Sequence, residues 1–302
     1  VAVITRTSTP TPVVHPLRAR VLIGRAPHCD LVLTSRKVSG EHAVLVWEGG
    51  IWSLRDLSSR NGTWTDRERV PTGGRVVLRA GDRVHFGTSE ETWELSSGGP
   101  ELFATRPDGG HPVIGDAGLL ALPDPDSAIV TVYQDDRGRW VADRDGQLDV
   151  VTDRATIDVA GEAFTLALPR TLPPTEDGEL SLFEATFAFG VSGDEEYVEL
   201  DLIQGARKRS LKPRAHLYVL LTLARLRSEQ EALDDDGESG WVHQEDLARM
   251  LGCNDGYVNL AIYKARRQLA KAGLVGAPGI VERRVGTRQL RFGTARITER
   301  TL

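Results

Sequence analysis

The stretch that most restricts this chain runs from Gly24 to Gly62, where three short polar loops alternate with four apolar runs. The loops are Gly24-Arg25, Ser39-Gly40-Glu41-His42 and Ser59-Arg60-Asn61-Gly62; the runs are Arg20–Ile23, Asp30–Leu33, His42–Val46 and Trp52–Asp56. Runs this short, punctuated by Gly, Ser and Asn, predict β-strands joined by turns. A rigid sheet presenting loops is a frequent support for a binding site.

The loops carry a consistent chemistry. Arg25 offers a planar, permanently charged fork suited to phosphate or carboxylate. Ser39 and Ser59 add short hydroxyl donors, and Asn61 adds an amide that both donates and accepts. The glycines permit close backbone approach, and His42 is assigned to holding the loop. No acid–base pair accompanies the set, so binding is the expected role.

Gly24-Arg25, Ser39-x-x-His42 and Asn61-Gly62, in this order and spacing, resemble a forkhead-associated (FHA) domain. Leu31-Val32-Leu33, Asp56-Leu57 and Ala80-Gly81-Asp82-Arg83-Val84 fit the same pattern, and the likeness covers residues 14–97. The resemblance implies a β-sandwich that binds phosphothreonine peptides, a known class of phospho-motif reader. It implies that Arg25, Ser39 and Ser59 hold the phosphate, with support from Arg60. Asn61 would hold the peptide main chain and Lys37 would read a flanking acidic side chain, while Gly24, His42 and Gly62 are structural. One departure is Gly40-Glu41 after Ser39, where the family often has a cation.

At 302 residues, two or three domains are expected. No run approaches the roughly 18 apolar residues of a membrane span. Cys29 and Cys253 are the two cysteines, far apart, which argues against a disulfide framework or zinc site and for a reducing, cytoplasmic setting. The histidines show no metal-ligand spacing. Neither a nucleophile–base–orienter set nor a phosphate-cradling Gly-rich loop leading into a helix is present, so no enzyme, metal or cofactor is expected.

Charge divides the chain. Residues 1–97 carry net +3, residues 98–180 net −10 and residues 241–302 net +6. The acidic middle reads either as a solvated face or as a shield over a basic nucleic-acid surface.

Residues 1–13, rich in Thr, Ser and Pro, predict a flexible tail. A phosphorylated threonine there could dock into the chain's own sandwich. Residues 98–170 predict an acidic β-rich segment, a meander or else a degenerate half-FHA copy. Residues 171–180 read as a linker of Pro, Thr and acid, and Glu229–Gly240 as an acidic loop.

In residues 181–302, strands precede a helix placed near Pro213, with Leu217, Leu220, Leu221 and Ala224 on its buried face. A short helix over 244–251, with Leu247, Met250 and Leu251 inward, stops at Gly252. A longer one, capped by Asn254, carries Val258, Ile262, Ala265 and Leu269 as its core stripe. A basic hairpin follows. This order resembles an OmpR/PhoB-type winged helix-turn-helix. The resemblance implies double-stranded DNA as partner, with Tyr263, Lys264, Arg266 and Arg267 on the recognition helix and Arg283, Arg284, Thr287 and Arg288 on the wing. Lys212 departs from the family's usual threonine before the first helix. The fold class expected is therefore multidomain, an FHA-like sandwich, a β-rich segment and an α+β winged helix. The function expected is a regulator that reads Ser/Thr-kinase phosphorylation; the alternative is an adaptor whose winged helix binds protein.

Overall fold

The computed structural model describes residues 2–8, 12–48, 50–96, 98–107, 111–135, 137–169, 180–231, 239–284, 286–294 and 296–302. Two compact units result: Val1–Thr105 with Leu166–Arg170, and Arg106–Thr165 with Thr171–Leu302. The expected boundary is thereby corrected, since most of the acidic β-rich segment belongs with the C-terminal region. Residues 171–179 of the expected linker and most of the acidic loop lie outside the described residues, while Leu180, its last residue, begins the strand Leu180–Ser181 that pairs in parallel with Leu274–Val275. Among the described residues no helix is long and apolar enough to cross a membrane.

The first unit contains two five-stranded sheets. One has the spatial order Leu31–Val32, Arg20–Gly24, Ala43–Glu48, Ile51–Asp56, Arg75–Leu78; the other has Val13–Pro16, Val3–Arg6, Thr92–Leu95, Arg83–Phe86, Thr63–Thr65. Alternation supplies the core: Ile4, Val21, Ile23, Leu45, Trp52, Leu54, Phe86 and Trp93 are buried together. Each large apolar side chain so buried contributes about 1.5–3 kcal/mol. Register fixes the site, because Ile23 lies opposite Ala43 and Ala43 opposite Asp56. The loops after Gly24, before Ala43 and after Asp56 therefore leave the same end of one sheet.

The flexible tail expected over residues 1–13 is corrected. Val3–Arg6 is an internal strand, with Ile4 facing both His15 and Leu95 and fully buried. Its brevity hid it; an apolar pair in a Thr-rich context has almost no periodicity. Thr5 is held in that strand, while Thr9 and Thr11 lie outside the described residues.

In the second unit, Leu120–Leu122, Val130–Gln134, Trp140–Arg144 and Gln147–Val150 form an antiparallel meander, and Thr156–Val159 pairs with Glu162–Ala167. A second sheet follows, ordered Arg207–Leu211, Val198–Gln204, Thr186–Val191, Ile297–Thr301, the last pairing parallel. Three helices come next: α1 (Leu217–Glu231), α2 (Gln244–Met250) and α3 (Asp255–Lys271). The hairpin Val281–Arg284/Gln289–Phe292 is joined on its second strand by Val242–His243. Phe187 and Phe189 pack edge-on against Phe292, at 5.5 and 6.1 Å between ring centres.

Leu217, Leu220, Leu221 and Ala224 of α1 are buried, as are Val258, Ile262, Ala265 and Leu269 of α3. The Asn254 side chain accepts the Tyr257 N–H at 2.9 Å, a cap worth about 1 kcal/mol. Two expectations fail. α1 starts at Leu217, four residues beyond Pro213, after a turn closed by Leu217 N–H to Arg214 O. Met250 faces solvent at 59% exposure, because α2 is only seven residues long and buries Leu247 and Ala248 instead.

Candidate functional site

At the loop end of the first unit, backbone bonds bring the three motifs together. Arg25 N–H donates to Ser39 O at 2.9 Å and Ala26 N–H to Gly40 O at 2.9 Å. Gly24 is required for that approach, since a Cβ there would lie 2.1 Å from Gly40 O. The Ser39 N–H donates to His42 Nδ1 at 3.0 Å, which leaves the proton on Nε2 to bond Gly62 O at 3.1 Å. Burial holds the His42 imidazole below its ordinary value, against the Gly62 bond, so the ring is neutral near pH 7. Through these contacts His42, Gly24 and Gly62 hold the three loops together.

Two further bonds tie the rim. Arg60 N–H donates to Ser39 Oγ at 3.0 Å, and Asn61 Nδ2 donates to Lys37 O at 2.7 Å. Arg25 Nε reaches Val38 O at 3.3 Å. Arg25, Lys37, Arg60 and Asn61 are exposed around a half-buried Ser39. Among the described residues no carboxylate pairs with Arg25, Lys37 or Arg60. Glu41, the acidic departure, is engaged by His28 at 2.7 Å.

Ser59 is placed differently from expectation. It is 9% exposed, and its hydroxyl donates to Asp56 Oδ2 at 2.6 Å while its N–H bonds Asp56 Oδ1 at 2.9 Å. Thr63 Oγ1 donates to the same carboxylate at 2.6 Å. Burial would raise the Asp56 carboxyl, but these donors outweigh it and hold it below the ordinary range. Ser59 therefore anchors the loop here, and its donor is already spent. The clamp was missed from sequence; an acid three residues before a serine is a local turn signal that could have shown it.

The second unit separates its candidate cations into two groups. Tyr263, Arg266 and Arg283 were expected to face solvent and do not. Tyr263 is buried with Leu119, Ala121, Ala128, Tyr133 and Val141 of the acidic segment. Arg266, 2% exposed, bonds Asp143 Oδ2 at 3.1 Å and Val281 O at 2.9 Å, with its guanidinium 4.6 Å from the Tyr133 ring centre. Arg283 Nε lies 2.9 Å from the same Asp143 oxygen, and its other nitrogens donate to Gln244 and Asn259 at 3.1 and 2.9 Å. Burial pulls the Arg283 guanidinium below its ordinary value. The physical reason for the correction is that α3 buries two faces, one against its own helices and one against the meander.

The other cations remain partly exposed. Arg267 Nε and Lys271 Nζ both reach Asp116 Oδ2 at 2.6 Å, and Lys264 Nζ lies 3.9 Å from Asp126. Arg288 bridges Glu245 at 3.3 Å and Asp255 at 2.7 Å. Arg284 stacks on Trp241 at 4.5 Å, and Thr287 Oγ1 donates to Arg284 O at 3.0 Å. No group of metal-ligating side chains occurs among the described residues.

Comparison with known proteins bears on the first unit. The FHA domain model matches residues 21–87, and the N-terminal unit contains an FHA domain. The chain is similar to the FHA domain-containing protein FhaB of Mycobacterium tuberculosis, 45% identical over 64 residues, 21% of this chain and 41% of that protein. It is also similar to the transcriptional regulatory protein EmbR of Mycobacterium tuberculosis, 38% identical over 85 residues, 28% of this chain and 21% of EmbR. A solved structure of Mycobacterium tuberculosis EmbR in complex with a low affinity phosphopeptide matches at 30% identity and a TM-score of 0.29, over 33% of this chain and 25% of that one. The chain spans less than half the length of the curated relatives it matches.

Proposed function

We propose that this chain is a phosphothreonine-dependent transcriptional regulator, an FHA reader coupled to a DNA-binding winged helix-turn-helix. One observation carries the reader half: Arg25, Lys37, Ser39, Arg60 and Asn61 share one rim with no carboxylate on its cations among the described residues. A phosphate adds about −1.5 to −2 charge and strong acceptor oxygens, and such a rim favours it over a bare hydroxyl. The partner is a protein phosphorylated by a Ser/Thr kinase. The test is fluorescence anisotropy with a labelled phosphothreonine peptide and its unphosphorylated twin. Equal affinity for the two would end the reader reading.

The DNA half draws support from the helix order, the tight turn at Gly252 and the basic hairpin. The burial of Tyr263 and Arg266 favours a second reading, an adaptor in which α3 serves as a protein-docking helix. Retention of the full chain on random duplex DNA at low salt discriminates: the regulator binds and elutes as salt rises, whereas the adaptor flows through. On either reading the chemistry is binding, with no catalytic role for these residues.

A further inference from the structure

The face that α3 and the C-terminal hairpin turn toward the meander has a one-sided inventory. On one side stand Asn259, Lys264, Arg266, Arg267, Lys271 and Arg283; on the other, carboxylates: Asp116, Asp126, Asp143 and Asp145. Asn259 Nδ2 donates to Asp145, and the Asp145-Gly146 turn sits beside Arg283, whose Nη1 would be 3.3 Å from a Cβ on Gly146.

The donors outnumber the acceptors. One oxygen of Asp143 serves both Arg266 and Arg283, and one oxygen of Asp116 serves both Arg267 and Lys271. The Nε of Arg266 and that of Arg283 are buried without a well-aligned acceptor among the described residues. Both lie at a void of about 10 Å³ that Asp143, Asp145 and Asn259 also line. A surface evolved only to grip this meander would need no such surplus.

We infer that the surface formed by α3 and the hairpin recognises arrays of anionic oxygens, that the meander carboxylates are its resident occupant, and that a phosphodiester backbone of duplex DNA is the partner that exchanges with them. This rests on the nucleic-acid reading of the second unit. Three features make exchange physically reasonable. The pairs made by Asp116 and Asp126 are partly exposed, and such pairs contribute little to stability. The buried Asp143 pairs give back much of their attraction as lost hydration. Phosphate oxygens offer the acceptors that the carboxylates lack. The apolar cluster of Leu119, Ala121, Ala128, Tyr133, Val141 and Tyr263, with Leu148, Leu260 and Ala270 packed against it, sets the threshold that a duplex must overcome for release. Opening would also free Tyr263, Arg266 and Arg283.

The test uses the full chain with Asp116→Asn, Asp126→Asn and Asp145→Asn combined. None of the three is among the buried polar residues, and Asp143 is left intact so that folding is preserved. Two readouts are taken: anisotropy with a random-sequence duplex across a salt series, and the rate of amine labelling at Lys264 and Lys271. The expected result is duplex affinity raised about tenfold or more, with a salt slope steeper by about 0.9 for each additional phosphate neutralised. Lysine labelling should also accelerate, and be suppressed again by duplex. If wild type and variant bind duplex equally, the exchange is overturned while DNA binding stands. If labelling accelerates but neither protein binds duplex at low salt, the nucleic-acid reading falls and the exchange falls with it. A second variant, Lys271→Glu, should weaken duplex binding; unchanged binding would also count against the inference.

Discussion

The FHA loops and the α3 face both gather basic side chains, yet their electrical surroundings are opposite. At the loops, Arg25, Lys37 and Arg60 are positioned through neutral backbone groups, and their charge is left uncancelled by carboxylates among the described residues. On α3, Lys264, Arg266, Arg267 and Lys271 each meet an aspartate. The lesson is that a basic cluster alone does not identify an open anion site. What positions the cations, and what already neutralises them, decides whether the site is available.

The hardest test of that contrast is Asp143→Ala. It strands two buried guanidiniums, and a loss of about 3–5 kcal/mol is expected, read from denaturant midpoints. A midpoint unchanged from wild type would mean that the pair is solvated and the contrast false. Arg25→Ala should have no such cost in stability, because Arg25 is exposed and its guanidinium makes, among the described residues, one long bond, 3.3 Å, to the neutral Val38 O. Its effect should fall on phosphopeptide affinity, by roughly 1.5–3 kcal/mol for a charge-assisted contact, about tenfold to a hundredfold by titration. Ser59→Ala sharpens the picture within the first unit. Losing one donor to the buried, charged Asp56 should lower stability by about 1.5–3 kcal/mol and shift peptide affinity about twofold or less. A large affinity loss without a stability loss would return that hydroxyl to the ligand.

The mildest test is acidification, which should reach the two units in sequence. Burial pushes His15 down to about 4, with Asp30 opposing. The unfolded chain therefore takes up its proton first, near pH 6.5. The stability of the first unit should be complete above that pH and fall progressively toward pH 4, and His15→Gln should flatten the decline. Asp116 behaves differently: burial raises its carboxyl, but Lys271 and Arg267 more than offset this and hold it below the ordinary range. That contribution is present above about pH 3.9 and is lost as pH falls through the lower folded value. Denaturant midpoints at stepped pH would separate the windows; loss at Asp116 before loss at His15 would reverse the assignment.

How much was legible follows from how local each signal is. Gly24, Arg25, Ser39, His42 and Asn61 were readable because turns require small or polar residues there and each carries its chemistry in its own side chain. The stripe Val258, Ile262, Ala265, Leu269 was readable because one buried helix face imposes a period. The second buried face of α3 was not, since Tyr263 and Arg266 lie about one residue's rotation away and look polar when viewed alone. Four aspartates spread from Asp116 to Asp145 have no sequence signature that ties them to a helix more than a hundred residues later. Ser59 differs from these, because its competing acceptor Asp56 lies only three residues before it and a local turn signal was there to be read.

The position of Val3–Arg6 has a practical consequence. The matched FHA span, residues 21–87, omits this strand and both of its neighbours in the sheet. A protein trimmed to that span would lose three of five strands from one layer and bare the flank of Arg83–Phe86. An open flank of backbone donors and acceptors invites another chain to complete it. Fragments cut at the family limits should therefore self-associate, and ones beginning ahead of Ala2 should not.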